Sequence, residues 1–268
     1  MPHQQIAEIY RKNEENLLKD LKNPQGLQEK QVHQLRVHIK NMRVLLHLLE
    51  ALSKKKFSAR PILRLLNPVF NRAGKFRTAS LNLKLTQMYR SAVLLRFKDH
   101  LRVEMEKQKQ KMKSELEDFK IKKFKRLQKE SLDAFKNIKS SRIKKQGSEY
   151  LRVLLAEVRV DLFDISDDET LHEIRHKLKE IKTVGAFLNE CGIEHPFKKE
   201  LDRIAVTYDR IGNWHDTAIL IDDLEDFVEQ LDDDSALEKT MPLIMVLKKK
   251  NLHNKKLIEK KLKVDLVM

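Results

Sequence analysis

Apolar residues recur along the chain at helical spacing, and two segments carry this pattern in matching form. The first consists of Val32, Leu35, Ile39, Met42, Leu45 and Leu49. The second consists of Leu171, Ile174, Leu178, Ile181, Val184 and Leu188. Steps of three and four residues keep such side chains on one face of an α-helix. The pattern therefore predicts two amphipathic helices, each with one face directed into a core.

The rest of the chain also predicts helices. Alternating β-branched runs with hairpin turns are absent from the sequence. The run Ser166 to Glu169 predicts a helix N-terminus, and Pro68 and Pro242 are expected near helix boundaries. Lysines crowd residues 98–145, interpreted as one long helix, and residues 248–263. Solvated faces are the favoured interpretation of both lysine-rich segments, and we predict an all-α fold.

A cationic stripe accompanies each apolar stripe. The first stripe consists of His33, Arg36, Lys40 and Arg43. The second consists of His172, Arg175, Lys179 and Lys182, and lies 139 residues further along the chain. At about 100° per residue, each set falls within an arc of about 80° beside the apolar face. Such side chains can line a crevice between packed helices, where charge-assisted hydrogen bonds strengthen. Two matching stripes predict one anion held between two related halves.

The repeat continues beyond these helices. Arg72, Gly74 and Phe76 are matched by Arg210, Gly212 and Trp214 at an offset of 138 residues. We therefore predict a single domain over residues 1–268, with a first helical half at 1–140 and a second at 141–268. Each half is expected to be a four-helix bundle. A pseudo-twofold axis is expected to relate the halves around a basic central cavity.

The amino-acid composition restricts the class of binding partner and the cellular compartment. Lys and Arg number 55 against 40 Asp and Glu, a net charge of +15 that favours an anionic partner. An aromatic content of 6% argues against a base-stacking platform for single-stranded nucleic acid. A lone cysteine and the absence of a signal-peptide pattern or a membrane-spanning apolar stretch predict a soluble, cytoplasmic protein.

Two helices of the form His-x-x-Arg-x-x-x-Lys-x-x-(Arg/Lys), each followed by a glycine element, resemble the CHAD domain, the conserved histidine α-helical domain. The resemblance covers nearly the whole chain. It implies helical bundles around a basic cavity that binds long-chain inorganic polyphosphate, and an association with polyphosphate granules and their proteins. The ligands implied by position are His33, Arg36, Lys40, Arg43, His172, Arg175, Lys179 and Lys182, with Arg72 and Arg210 as weaker candidates.

The chain differs from the family pattern at a few positions. Asn41 and Glu180 stand where a second basic residue is common, and Thr78 stands where an aspartate is expected. Asp216 is present in the second copy, but Lys182 replaces an arginine. We therefore expect the second half to hold an anion less tightly than the first.

Polyphosphate suits these residues chemically. It offers closely spaced charges without base edges, so arginine forks, lysine point charges and protonated histidines suffice to bind it. Because anions favour protonated histidine, His33 and His172 predict tighter binding as the pH falls from about 8 to 6.

Other functions are weaker alternatives. His172 to His176 forms an H-E-x-x-H string, but the first copy has Val37 at the second histidine position, which argues against a zinc protease. The run Glu104-Met-Glu106 resembles the E-x-E-x-K motif of CYTH enzymes, but Gln108 occupies the lysine position. We predict no catalytic activity, no metal and no cofactor. The remaining alternative is a nucleic-acid-binding or scaffold protein that uses a generic basic surface.

Overall fold

The amphipathic patterns fold as helices in the computed structural model, which describes residues 3–23, 27–54, 56–165, 167–195, 197–231 and 233–267. Helices α1 to α4 span His3–Leu21, Glu29–Leu52, Arg60–Leu85 and Ala92–Glu117. Helices α5 to α9 span Ile121–Lys136, Ser140–Asp161, Asp168–Glu190, Leu201–Glu229 and Asp234–Val267. A 3-10 turn, Leu162–Asp164, follows α6. These ranges contain no β-strand, so the all-α prediction is confirmed.

The prediction of one long helix over residues 98–145 is wrong, because the segment covers the end of α4, all of α5 and the start of α6. Leu116 and Phe124 lie on either side of the break after Glu117, and both are buried in the same core. In one continuous helix they would lie about 12 Å and 80° apart. The turn folds α5 back against α1, α2 and α3, so both side chains reach the core.

Helix boundaries show further differences from the sequence predictions. Pro68 lies inside α3 and Pro242 inside α9. Around Pro68, burial of Leu66 and Val69 favours the helix despite the missing hydrogen bond. The start of α7 agrees with the capping prediction, because Asp167 Oδ1 accepts a hydrogen bond of 2.6 Å from Thr170 N. Ser166 lies outside the described residues.

Helices α1 to α4 precede α5, and helices α6 to α9 follow it. Consecutive helices pack on each other in both sets, from α1 on α2 to α8 on α9. Helix α2 also packs on α7, and α3 packs on α8. The four helices that carry the repeated motifs are therefore neighbours.

Both apolar stripes lie in one hydrophobic core. Val32 and Ile39 are fully buried, as are Leu171 and Leu178. A smaller core around Phe97, Leu220 and Leu224 joins α4, α8 and α9. Burial of the apolar stripes fixes the rotation of α2 and α7, which turns the adjoining cationic stripes towards the space between them.

Glu14 is a carboxyl group buried between α1 and α5. Ser131 Oγ donates a 2.5 Å hydrogen bond to Glu14 Oε1. Burial raises the pKa of Glu14 to about 7, although the hydrogen bond from Ser131 lowers it. The folded protein therefore binds a proton that the unfolded chain releases above about pH 4.3, and this contribution to stability is lost as the pH rises towards 7.

We expect Glu14→Gln, which cannot ionise, to remove this loss. Relative to wild type, the variant should gain roughly 2–3 kcal/mol in free energy of unfolding between pH 5 and pH 8, at about 1.4 kcal/mol per pKa unit. Urea denaturation at both pH values would measure it. The neighbouring, exposed Glu15→Gln is the control, and an equal change in both variants would contradict the prediction.

Candidate functional site

A cavity of about 720 Å³ lies between α2, α3, α7 and α8. We call it the central cavity. Six of the predicted site residues line it: His33, Arg36, Lys40, Arg175, Lys179 and Lys182. The two motif helices, far apart in sequence, thus contribute cationic side chains to one space.

In the first half, α3 positions the arginines of α2. Arg36 Nη1 donates a hydrogen bond to the carbonyl of Phe70 at 3.1 Å. The guanidinium groups of Arg36 and Arg43 each lie 4.6 Å from the centre of the Phe70 ring. Arg43 Nη2 also donates to Asn67 Oδ1 at 2.7 Å. These contacts hold the two arginines in place before any ligand binds.

In the second half, the ring of Tyr208 takes the place of Phe70. Arg175 lies 5.1 Å and Lys182 Nζ 5.2 Å from its centre. Lys179 Nζ crosses to the other half and donates a 2.8 Å hydrogen bond to Asn41 Oδ1. Arg175 Nε is buried and has no hydrogen-bond partner among the described residues. An anion in the cavity could accept from this donor.

The repeated glycines make room for the repeated arginines. A Cβ atom at Gly74 would lie 2.7 Å from Arg36 Nη1, which is too close for any side chain to be tolerated without movement. A Cβ atom at Gly212 would lie 3.4 Å from Arg175 Nη2, close to ordinary contact. Glycine therefore allows the close approach of Arg36 at Gly74, whereas at Gly212 a Cβ atom would come only to the edge of ordinary contact with Arg175.

Burial and nearby positive charges lower the pKa values of two lysines in the central cavity. Burial lowers the pKa of Lys40 to about 8, and the charges of Arg36, Arg175 and Lys179 lower it further in the same direction. Burial also lowers the pKa of Lys179 to about 8, helped by Lys182 and Arg175. The pKa of Arg36 falls to about 10 for the same reasons, with Arg77 as the largest neighbouring charge. These shifts show that several basic groups lie close together in the central cavity.

Few carboxylates balance this charge. Lining Lys and Arg residues number six, against Glu190, Asp209 and Asp216. Lys182 Nζ lies 3.9 Å from Asp209 Oδ1. Burial raises the pKa of Asp216, although the surrounding cations, led by Arg175, lower it.

The two motif histidines lie in different surroundings. Burial and the nearby charges of Arg77, Arg36 and Lys40 lower the pKa of His33. His172 does not line the central cavity; its Nε2 lies 2.9 Å from His176 Nε2, and its ring lies 4.9 Å from that of His215. His215 does line the cavity, and burial together with Arg175 lowers its pKa to about 4.

The remaining predicted residues lie elsewhere. Arg43 lines an adjoining cavity of about 380 Å³, which shares Lys40, Arg175 and Lys179 with the central one. Arg72 Nε lies 3.8 Å from Glu115 on α4, and Arg210 lines a separate cavity between α8 and α9. The structure does not bring these last two together with the other candidates. Each precedes its glycine by two residues, which rotates it about 200° around the helix.

The sequence reasoning missed several lining residues, among them Arg77, Tyr208 and His215. Arg77 follows Gly74 by three residues, so helical spacing places both on one face and could have identified it. Its Nη1 lies 2.8 Å from Glu29 Oε1. Tyr208 follows the repeat offset of 138 from Phe70, which is a weak signal without knowledge of the cation–ring contacts.

Neither a metal-ligand cluster nor a membrane-spanning helix is found in the part of the chain that the structure describes. Within the described ranges, no group of three or more His, Cys, Asp or Glu side chains is arranged to hold a metal ion. None of the helices in those ranges has the length and apolar character needed to cross a membrane.

Comparison with known proteins agrees with this architecture. The family model for the CHAD domain matches residues 5–225. The fold is similar to the crystal structure of the CHAD domain from the plant Ricinus communis, with a TM-score of 0.73 and 13% identity over 98% of this chain and 91% of that one. No curated protein sequence matches. At this identity the solved structure supports the fold alone, but the family model covers most of the sequence. The chain belongs to the CHAD-domain family.

Proposed function

We propose that the chain binds long-chain inorganic polyphosphate, without catalysis, in the central cavity. The observation that carries the proposal is the concentration of cations from both halves in one cavity. Burial, together with these neighbouring charges, lowers the pKa of Lys40 and Lys179 to about 8. Bringing like charges together costs free energy, and an anion bound among them offsets that cost. The pseudo-twofold arrangement of two four-helix halves around one ligand is part of the proposal.

The spacing of the cations favours a chain of phosphates over a single phosphate. From His33 to Arg43 the stripe extends about 15 Å along α2, at 1.5 Å per residue. Lys179 reaches Asn41, so cations of the second half lie beside the first stripe. The buried Arg175 Nε provides a further donor. A flexible polyanion can contact these groups in succession, whereas a single phosphate would reach only a few of them.

The proposal extends to location. Binding in this cavity would hold the protein at polyphosphate granules in the cytoplasm, where granule-associated proteins would be its neighbours. No metal or cofactor is part of the proposal.

A competition titration tests the function. At about 150 mM salt, we expect long-chain polyphosphate to bind at least about 10-fold more tightly than duplex DNA or RNA of equal charge, because the cavity contains charge and no base-reading element. Fluorescence anisotropy of labelled polyphosphate, with the nucleic acids as competitors, would measure it. Equal displacement by all polyanions would favour the generic basic surface instead.

The two glycines allow a matched test of geometry. We expect Gly74→Ala to displace the Arg36 guanidinium and to weaken polyphosphate binding by about 10-fold, since charge-assisted hydrogen bonds contribute roughly 1.5–3 kcal/mol each. Gly212→Ala should change affinity by less than about 3-fold, because Arg175 lies farther away. Alanine favours helices by about 1 kcal/mol over glycine, so folding should persist. Isothermal titration calorimetry would compare the polyphosphate affinities of the two variants. Equal losses of affinity would contradict the proposed role of the Gly74–Arg36 contact.

A further inference from the structure

A second cavity, of about 650 Å³, adjoins the central cavity between α3, α4 and α8. Both cavities are lined by Arg36, Gly74 and Thr78, so Arg36 lies at their boundary. The second cavity is lined by three carboxylates, Glu104, Asp223 and Asp226, and we call it the acidic cavity. Apart from Arg36, Lys75 is the only Lys or Arg among the described lining residues of this cavity.

Two of the three carboxylates of the acidic cavity accept side-chain hydrogen bonds. Asn82 Nδ2 donates a 2.6 Å hydrogen bond to Asp223 Oδ2, and Gln108 Nε2 donates a 2.5 Å hydrogen bond to Glu104 Oε1. Burial and the charges of Asp226 and Asp222 raise the pKa of Asp223. Glu104 Oε2 also lies 3.3 Å from Lys107 Nζ, and His100 lines the same cavity. The negative charge is therefore concentrated mainly around Asp223 and Asp226.

The other cavity that adjoins the central one has the opposite charge. The adjoining 380 Å³ cavity, here called the Arg43 cavity, is lined by Arg43, His47 and His176 in addition to the shared cations. Its single carboxylate among the described lining residues, Glu180, accepts a 2.7 Å hydrogen bond from Tyr150 OH. A polyanion in the central cavity therefore meets cations in one adjoining cavity and carboxylates in the other.

We infer that the acidic cavity is a charge barrier, which confines polyphosphate to the central and Arg43 cavities and sets the direction in which the chain leaves the protein. The inference rests on the proposed function. Each phosphate that passed Arg36 towards α4 would meet fixed carboxylates in a partly buried space, where screening by salt is weak. The same barrier limits the number of phosphates that the protein contacts.

Neutralising the barrier tests the inference. In the variant Glu104→Gln, Asp223→Asn and Asp226→Asn, the amides keep oxygen acceptors for Asn82 and Gln108. We expect long-chain polyphosphate to bind about 10-fold more tightly than to a control of equal net charge. The control is Glu117→Gln, Glu130→Gln and Asp133→Asn, on the exposed surface of α4 and α5. Tripolyphosphate, short enough for the central cavity, should bind the two variants equally.

The salt dependence of binding separates a longer path from a general charge effect. Each additional phosphate contact should steepen the plot of log affinity against log salt by about 0.7. We expect a steeper slope for long chains with the barrier variant and an unchanged slope with the control. Asp226→Asn alone, measured the same way, gives a milder version should the triple variant unfold. Equal slopes and affinities in barrier and control variants would overturn the inference, whereas failure of the wild type to bind polyphosphate would overturn the proposed function itself.

Discussion

Replacing Arg36 and Arg175 together by glutamate is expected to weaken polyphosphate binding by at least about 1000-fold. Arg36 on α2 lies against Gly74 on α3, and Arg175 on α7 lies against Gly212 on α8. Both arginines line the central cavity. Reversal removes two charge-assisted donors of roughly 1.5–3 kcal/mol each and places two carboxylates in the ligand's path. Anisotropy titration at fixed salt, with circular dichroism to confirm helicity, would measure the loss.

The chain provides a matched control for this change. Arg72→Glu with Arg210→Glu alters the net charge equally, but these residues lie on the facing helices α3 and α8 and outside the central cavity. We expect the control pair to weaken binding by no more than about 10-fold, through long-range electrostatics alone. Similar losses in both pairs would mean that binding follows net charge, and the proposed cavity site would be wrong. Arg36→Gln with Arg175→Gln gives a milder version should the reversal impair folding.

Polyphosphate affinity is expected to fall by on the order of 100-fold between pH 7.5 and pH 9.5. Lys40 and Lys179 have pKa values of about 8 in the free protein, and a bound polyanion returns them towards their usual value near 10.4. Binding therefore takes up protons above pH 8, and affinity decreases as the pH rises through that range. The pKa of His33 is lowered below its ordinary value of about 6.5, so His33 affects the affinity only at lower pH. The two lysines therefore produce the larger effect between pH 7.5 and pH 9.5.

Arginine at both lysine positions tests the assignment, because arginine stays protonated over this range. We expect Lys40→Arg with Lys179→Arg to bind polyphosphate with little change between pH 7.5 and 9.5. Stability gives an independent check. The unfolded chain holds more protons on these lysines between about pH 8 and 10.4, so they make the unliganded protein more stable as the pH rises across that window. A thermal shift by polyphosphate that grows with pH would contradict the predicted fall in affinity. A loss of stability of the unliganded protein across the same window would contradict the predicted stabilisation.

The sequence predicted the motif helices well, because burial of an apolar stripe at helical spacing depends on local periodicity. The stripe from Val32 to Leu49 lies in the core as expected. The position of Arg36 and Lys40 on the helix surface beside this apolar stripe followed from the same periodicity. The break between α4 and α5 was not predicted, because no glycine or proline marks it. It accompanies the packing of α5 against α1, α2 and α3, which local periodicity does not reveal.

The sequence by itself determined the helical class, the two cationic stripes and their repetition, since these depend on residue type and on a rotation of about 100° per residue. Only the tertiary structure decided which cations share a space. Packing of α2 on α7 and of α3 on α8 brought Arg36, Lys40, Arg175 and Lys179 into one cavity. It also directed Arg72 and Arg210 away from that cavity and placed the carboxylates Asp223 and Asp226 on one side of it. Distances between helices far apart in sequence are set by side-chain packing across their contacts, and local periodicity carries no information about them.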